Sequence, residues 1–336
     1  MIIAPRFAPA LSACCLAAAG LLAVSVAEVA YAQPASGRTL PKPRVFAPGV
    51  LTTIPADVAP EETVDVHDLV ELRSNPELEW QPELSPESRT LFSRSQQVRF
   101  RRDIYCLEFS FKPLRMIWVD LPTADGGMEK TLVWYLVYQV RNTGGVLGPT
   151  DPTVRQTRFE SAPAAKQVDD PRRFVPHFVL EGHELNADGQ RLYRAYLDRV
   201  VPAAIEPIRR RETPGRVLHN SVSIAEEPLA PVGERDAEGV WGVAMWRGVD
   251  PEIDFFSVYV RGLSNAYQWA DTPGEYQPGD PPGKGRTFVR KTLQLCFWRP
   301  GDRFLEHESE VHFGAPKGRE SLYGVDEGVA HRWVYR

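Results

Sequence analysis

Seven consecutive residues, Leu132 to Tyr138, are aliphatic or aromatic without interruption. In an extended chain, side chains alternate between two faces, so this run is apolar on both. A strand of that kind is stable only where both faces are covered, which places it at the centre of a layered β structure. Turn residues bound it: Ala124-Asp125-Gly126-Gly127 before, and Arg141 to Gly145 after. The first set carries the glycines a hairpin turn needs. Upstream, Tyr105, Leu107, Phe109 and Phe111 alternate with Cys106, Glu108, Ser110 and Lys112. That is the period of a half-buried strand. Pro113 marks a bulge or a change of edge, and Met116 to Leu121 resumes the pattern.

Thirty prolines in 336 residues, against a usual share of about 5%, favour strands and loops over long helices. Further strands are expected at Arg173–Leu180, Val217–Ile224, Gly239–Arg247, Ile253–Gly262, Thr287–Trp298, Glu306–Phe313 and Ala330–Tyr335. One segment has helical spacing: Leu192, Tyr196, Leu197 and Val200 form a stripe, with Pro202 expected to end or kink it. Arg209-Arg210-Arg211 beyond it suits the negative end of a helix dipole. The expected fold is mainly β, an antiparallel β-sandwich, immunoglobulin-like or otherwise, with one helical insertion near residues 190–211. The stripe is expected to pack over Leu132–Tyr138, which needs cover on its second face.

The ending Val140-Arg141-Asn142-Thr143-Gly144 resembles a turn found in bacterial immunoglobulin-like modules. Longer phrases, Cys106–Ile117 with Trp134–Gly144 and Asp254–Tyr267 with Lys291–Asp302, are similar to those of an uncharacterised group of exported bacterial β-rich proteins. The resemblance covers most of the chain after residue 32. It implies export and one composite domain, and brings no activity or catalytic residue with it.

Export is also written in the first 32 residues. Arg6 precedes an uncharged apolar run, Phe7 to Ala27, and Ala30-Tyr31-Ala32 supplies a small-x-small cleavage pattern, leaving Gln33 as the new N-terminus. The alternatives are an uncleaved anchor, since the run is long enough to span a bilayer, or a lipoprotein at Cys14. Membrane contact is expected only through this segment if it is uncleaved. Residues 33–97, rich in proline, read as an extended arm or linker, with Trp80 either a staple to the body or a partly exposed aromatic. Residues 98–336 read as the composite sandwich domain, placing the protein in the periplasm, at the cell surface or outside the cell.

Composition excludes some partners. A net charge of −5 argues against nucleic acid and against electrostatic docking on anionic lipid. No G-x-S-x-G elbow is present, and the serines lie in strand-like runs. His307 and His312 are five apart, not the four a zinc-binding helix requires, and Glu308 and Glu310 read as a solvated strand edge. Glu184 to Gly189 echoes a calcium loop but lacks its carboxylate series, so it reads as a turn and an N-cap. No catalytic, cofactor or metal residue is assigned. Cys106 and Cys296 fall out of phase with their apolar neighbours and are expected on the polar side of their strands, as two thiols or as one disulfide. Trp241, Trp246, Tyr259, Tyr267, Trp269 and Tyr276 fall within 36 residues. They are either core payload or a surface for sugar rings, with Trp241 and Trp246 on opposite faces of a strand. The leading expectation is an exported non-enzymatic envelope or surface module, structural or partner-binding. The alternative is a carbohydrate-active protein, a binding module or an acid–base glycoside hydrolase, so the partner is an envelope protein or a glycan.

Overall fold

A computed structural model describes residues 51–67, 98–148, 163–186, 188–192, 194–231, 239–250, 253–275, 284–299 and 311–336. The segment read as a signal, with Ala32 and Gln33, and also Trp80, Tyr276 and the His307–Glu310 stretch lie outside the described residues. The chain is mainly β, and among the described residues two large sheets dominate.

The first sheet runs in the order Thr52–Ile54, Glu108–Phe111, Met128–Arg141, Val240–Arg247 and His219–Asn220, with Arg115–Pro122 also paired to Met128–Arg141. The Arg115–Pro122 and Met128–Arg141 strands form the expected hairpin. Its turn is closed by Thr123 and Gly127, with Gly126 at φ 82°. The second sheet runs Ala195–Leu197, His177–Gly182, Phe255–Arg261, Arg286–Trp298 and Tyr267–Asp271. His312–Phe313 and His331–Tyr335 add to the other edge of the long Arg286–Trp298 strand.

The two sheets share an aromatic core. Trp134, Leu136, Tyr138 and Val140 point from the central strand toward Phe178, Phe256 and Phe297 of the second sheet. Tyr138 meets Phe178 at 4.9 Å between ring centroids, and Trp134 meets Phe256 edge-on at 5.5 Å. Each such ring removed from water contributes about 1.5–3 kcal/mol before packing is counted. Gly242 sits where a side chain would run into the Tyr138 ring, so the strand beside it carries glycine.

The other face of Leu132–Tyr138 is covered by helix α1, Pro202–Glu212. Val133, Tyr135 and Val137 pack there with Val201, Ala204 and Ile208. The helix is thus displaced from the expected stripe. Ala195–Leu197 is an edge strand paired to Val179–Glu181, and Leu197 and Val200 are 58% and 40% exposed. Sheet pairing outweighs helical spacing there, and Asp198 then carries the chain across to the first sheet by accepting the Met245 backbone N–H at 2.7 Å. Pro202 starts the helix rather than ending it, because proline at the first helical position sacrifices no hydrogen bond. Pro207 is tolerated on the exposed face.

Two other expectations need correction. Val217–Ile224 is not one strand: only His219–Asn220 pairs, and helix α2, Ser223–Glu226, follows. Asn220 Oδ1 accepts the backbone N–H groups of Val222 and Ser223 and turns the chain out of the sheet. Part of the stretch read as an arm is woven into the body. Thr52–Ile54 pairs with Phe109–Phe111, Ile54 is buried, and Val64–His67 pairs with Val98–Arg101. Composition concealed this because the segment is held by pairing and by an ion cluster rather than by apolar periodicity.

Candidate functional site

Three groups of polar side chains lie inside the molecule. The first is on the outer face of the second sheet. Ser257 and Gln294 project away from the aromatic core, and Ser257 Oγ lies 2.8 Å from His183 Nε2 and 3.0 Å from Gln294 Nε2. Gln294 also donates to the Tyr323 carbonyl and accepts from Arg332 Nε at 2.7 Å. The Ser257 hydroxyl and His183 Nε2 share one hydrogen bond whose direction follows the imidazole tautomer. Burial, then Arg191, Arg336 and Arg332, lower His183 to about 4, so it is neutral.

A serine beside an imidazole is the geometry of a nucleophile and its base. Here the pair is sealed. Ser257 and His183 are 0% and 1% exposed, and helix α3, Glu320–Tyr323, lays the Tyr323 ring edge-on against His183 at 5.0 Å. The Tyr323 hydroxyl donates to the Phe297 carbonyl at 2.6 Å and fixes that cover. No described acid orients His183 Nδ1, which has no hydrogen-bond partner among the described residues. The arrangement can hold the outer layer in place, with the serine buried beneath it. Cys296 lies in the same layer with Tyr323 and Ala315, and burial pushes its thiol up to about 12. Cys106 is likewise buried and raised to about 12 by desolvation. Both cysteines are free. They lie out of phase with their apolar neighbours but under cover rather than in solvent.

The second group locks α1 to the first sheet. Glu212 takes Arg115 Nη1 at 2.7 Å and the Tyr135 hydroxyl at 3.0 Å, and Lys112 Nζ lies 3.5 Å from its other oxygen. The third ties the segment after the N-terminal strand to the second sheet: the buried Lys291 Nζ lies 2.7 Å from Glu62 and 2.9 Å from the half-exposed Asp57, and the Tyr335 hydroxyl also contacts Glu62. The calcium-loop echo is a turn in which Asn186 Oδ1 accepts the backbone N–H groups of Asp188 and Gln190, with Gly189 at φ 74°. Among the described residues the next element is the Ala195–Leu197 strand rather than a helix. Among the described residues no cluster of metal-ligating side chains is found.

The aromatic set divides. Trp246 is fully buried between the sheets, Trp241 is 8% exposed on the helix side, and Tyr259 is 8% exposed beneath the Arg336 guanidinium. Tyr267 and Trp269 differ, because they lie half-buried on the Tyr267–Asp271 strand, which pairs with Arg286–Arg290 as a two-stranded ribbon. Cross-strand register sets Trp269 opposite Phe288 and Tyr267 opposite Arg290, and directly opposed residues share a face. Phe288 is 51% exposed and 6.0 Å from the Tyr267 ring. Arg102 caps the Tyr267 ring at 3.7 Å and Arg286 caps Trp269 at 3.8 Å. Phe288 and this ribbon were missed from sequence, although Phe288 alternating with Arg286 and Arg290 was a visible signal.

Comparison with protein-family models, with curated proteins and with solved structures finds no match for this chain. The chain's own geometry therefore carries the functional argument.

Proposed function

We propose that the protein is an exported, non-enzymatic envelope or surface module that works by binding a partner. The observation that carries this reading is the division of labour among its side chains. The groups best suited to chemistry, Ser257 with His183 and Glu212 with Arg115, are buried and committed to holding layers together. The exposed side of the molecule instead offers an aromatic and cationic ribbon around Phe288. Export is supported by the apolar leader and by the resemblance of the strand phrases to exported bacterial proteins.

Cell fractionation with N-terminal sequencing, combined with a hydrolase substrate panel, tests this reading. The expected result is protein in the periplasmic, surface or secreted fraction beginning at Gln33, with no turnover. Cytoplasmic protein with residues 7–27 intact would overturn export, and turnover abolished by Ser257→Ala would overturn the non-enzymatic assignment. A glycan is the partner class favoured by a specific observation, the Tyr267, Trp269 and Phe288 rings on one ribbon face.

A further inference from the structure

We propose that the folded chain joins Lys291 to Asp57 by an intramolecular amide bond, with Glu62 carrying the protons. This covalent modification stands independently of the partner-binding reading above.

The geometry around Lys291 is that of an amine held against a carboxylate beside a base. Lys291 is 2% exposed, and its Nζ lies 2.9 Å from Asp57 Oδ2 and 2.7 Å from Glu62 Oε1. Nζ also donates to the Asp57 backbone carbonyl at 2.8 Å, so two contacts hold the amine against this residue. One cation thus faces two carboxylates, and the two differ. The Glu62 side chain is 7% exposed, accepts the Ala59 backbone N–H at 3.0 Å and contacts the Tyr335 hydroxyl, on the residue opposite Lys291 in the sheet. The Asp57 side chain is 54% exposed, so an oxygen leaving it reaches solvent. The Trp333 ring, 5.4 Å from Nζ, adds apolar surface beside the amine.

Burial opposes the charge on Lys291, but hydrogen bonds to Glu62 and Asp57 outweigh it and hold the amine above its ordinary value. Attack therefore requires a base in contact with Nζ, and Glu62 is that base. Glu62 takes a proton from Nζ, and the freed lone pair forms a C–N bond to Asp57 Cγ. One Cγ–Oδ bond then breaks. Its oxygen departs as water with the two protons that Nζ has lost, both relayed by Glu62. Ammonium and carboxylate give amide and water, and nothing is oxidised or reduced. Free partners in water do not condense in this way; partners fixed in contact gain an effective molarity of up to about 10⁵–10⁸ M. The product also replaces a buried ion pair, with its desolvation cost, by a neutral amide. Glu62 keeps its contacts with Ala59 and Tyr335.

Proteolysis of the denatured, full mature chain followed by mass spectrometry tests the assignment. The expected product is one branched species that joins the peptides containing Asp57 and Lys291, lighter than their sum by one water and uncut by trypsin after Lys291. Recovery of the two peptides separate and unmodified would overturn the proposal. Asp57→Ala and Lys291→Arg should lack the branched species. Glu62→Gln keeps the size of the side chain without its basicity and should lower the linked share at least about tenfold, since general acid–base catalysis contributes roughly 10²–10⁴-fold. Undiminished linkage in any of these variants would overturn the role given to that residue. Where a variant fails to fold, the wild-type peptide map alone decides whether the bond exists.

Discussion

His183 illustrates how a residue that looks catalytic can be structural. Its imidazole is buried against Tyr323 and hydrogen-bonded to Ser257, and burial lowers it from 6.5 to about 4. The folded protein therefore binds fewer protons at this site than the unfolded chain between those two values. Stability from His183 is full above pH 6.5 and is lost as pH falls toward 4, by about 3 kcal/mol at 1.36 kcal/mol per unit. Glu184 and Asp198, both raised by burial, oppose the trend at the acid end. Denaturant titrations of wild type and His183→Gln across this range isolate the effect: the slope should flatten in the variant, and an unchanged slope would exclude His183 as its source. Glu212 gives a second residue-scale test. Glu212→Ala leaves Arg115 buried without its carboxylate, and should cost about 3–5 kcal/mol in chemical denaturation. Neither role was legible in sequence, because a strand serine, a loop histidine and a helix-end glutamate acquire their meaning from neighbours 74 and 97 residues away.

At the scale of elements, the doubly apolar strand was the most legible feature. Period two assigned its two faces, and the structure fills one with the second sheet and the other with α1. What alternation could not identify was the covering helix. The 192–200 stripe had helical spacing, yet its segment gains more from pairing with Val179–Glu181, and α1 begins one turn of chain later at Pro202. A pair of substitutions separates the two layouts. Ile208→Asp puts a charge among Val133, Tyr135 and Val137 and should cost about 3 kcal/mol or more. Leu197→Asp, at a 58% exposed position, should change stability by within about 0.5 kcal/mol. Thermal unfolding of both proteins checks the ranking, and a larger loss in the Leu197 variant would restore the stripe as the packed face.

The described body is a sandwich, one edge of which is supplied by residues that composition marks as a linker. Thr52–Ile54 completes the first sheet, while Asp57 and Glu62 neutralise the buried Lys291 of the second. A chain beginning at residue 98 should therefore be less stable than one beginning at residue 40 by about 3 kcal/mol or more, through the lost strand and the unpaired lysine. Equal denaturation midpoints would return the segment to the status of a free arm. The proposed module would meet its surroundings through exposed features, and Phe288, 51% exposed, is one of them among the described residues. In-cell photo-cross-linking from position 288, with the exposed position Val217 as control, tests that claim most directly. Adducts to an envelope partner from position 288 and none from position 217 are the predicted result; adducts from position 217 alone, or from neither, would contradict it.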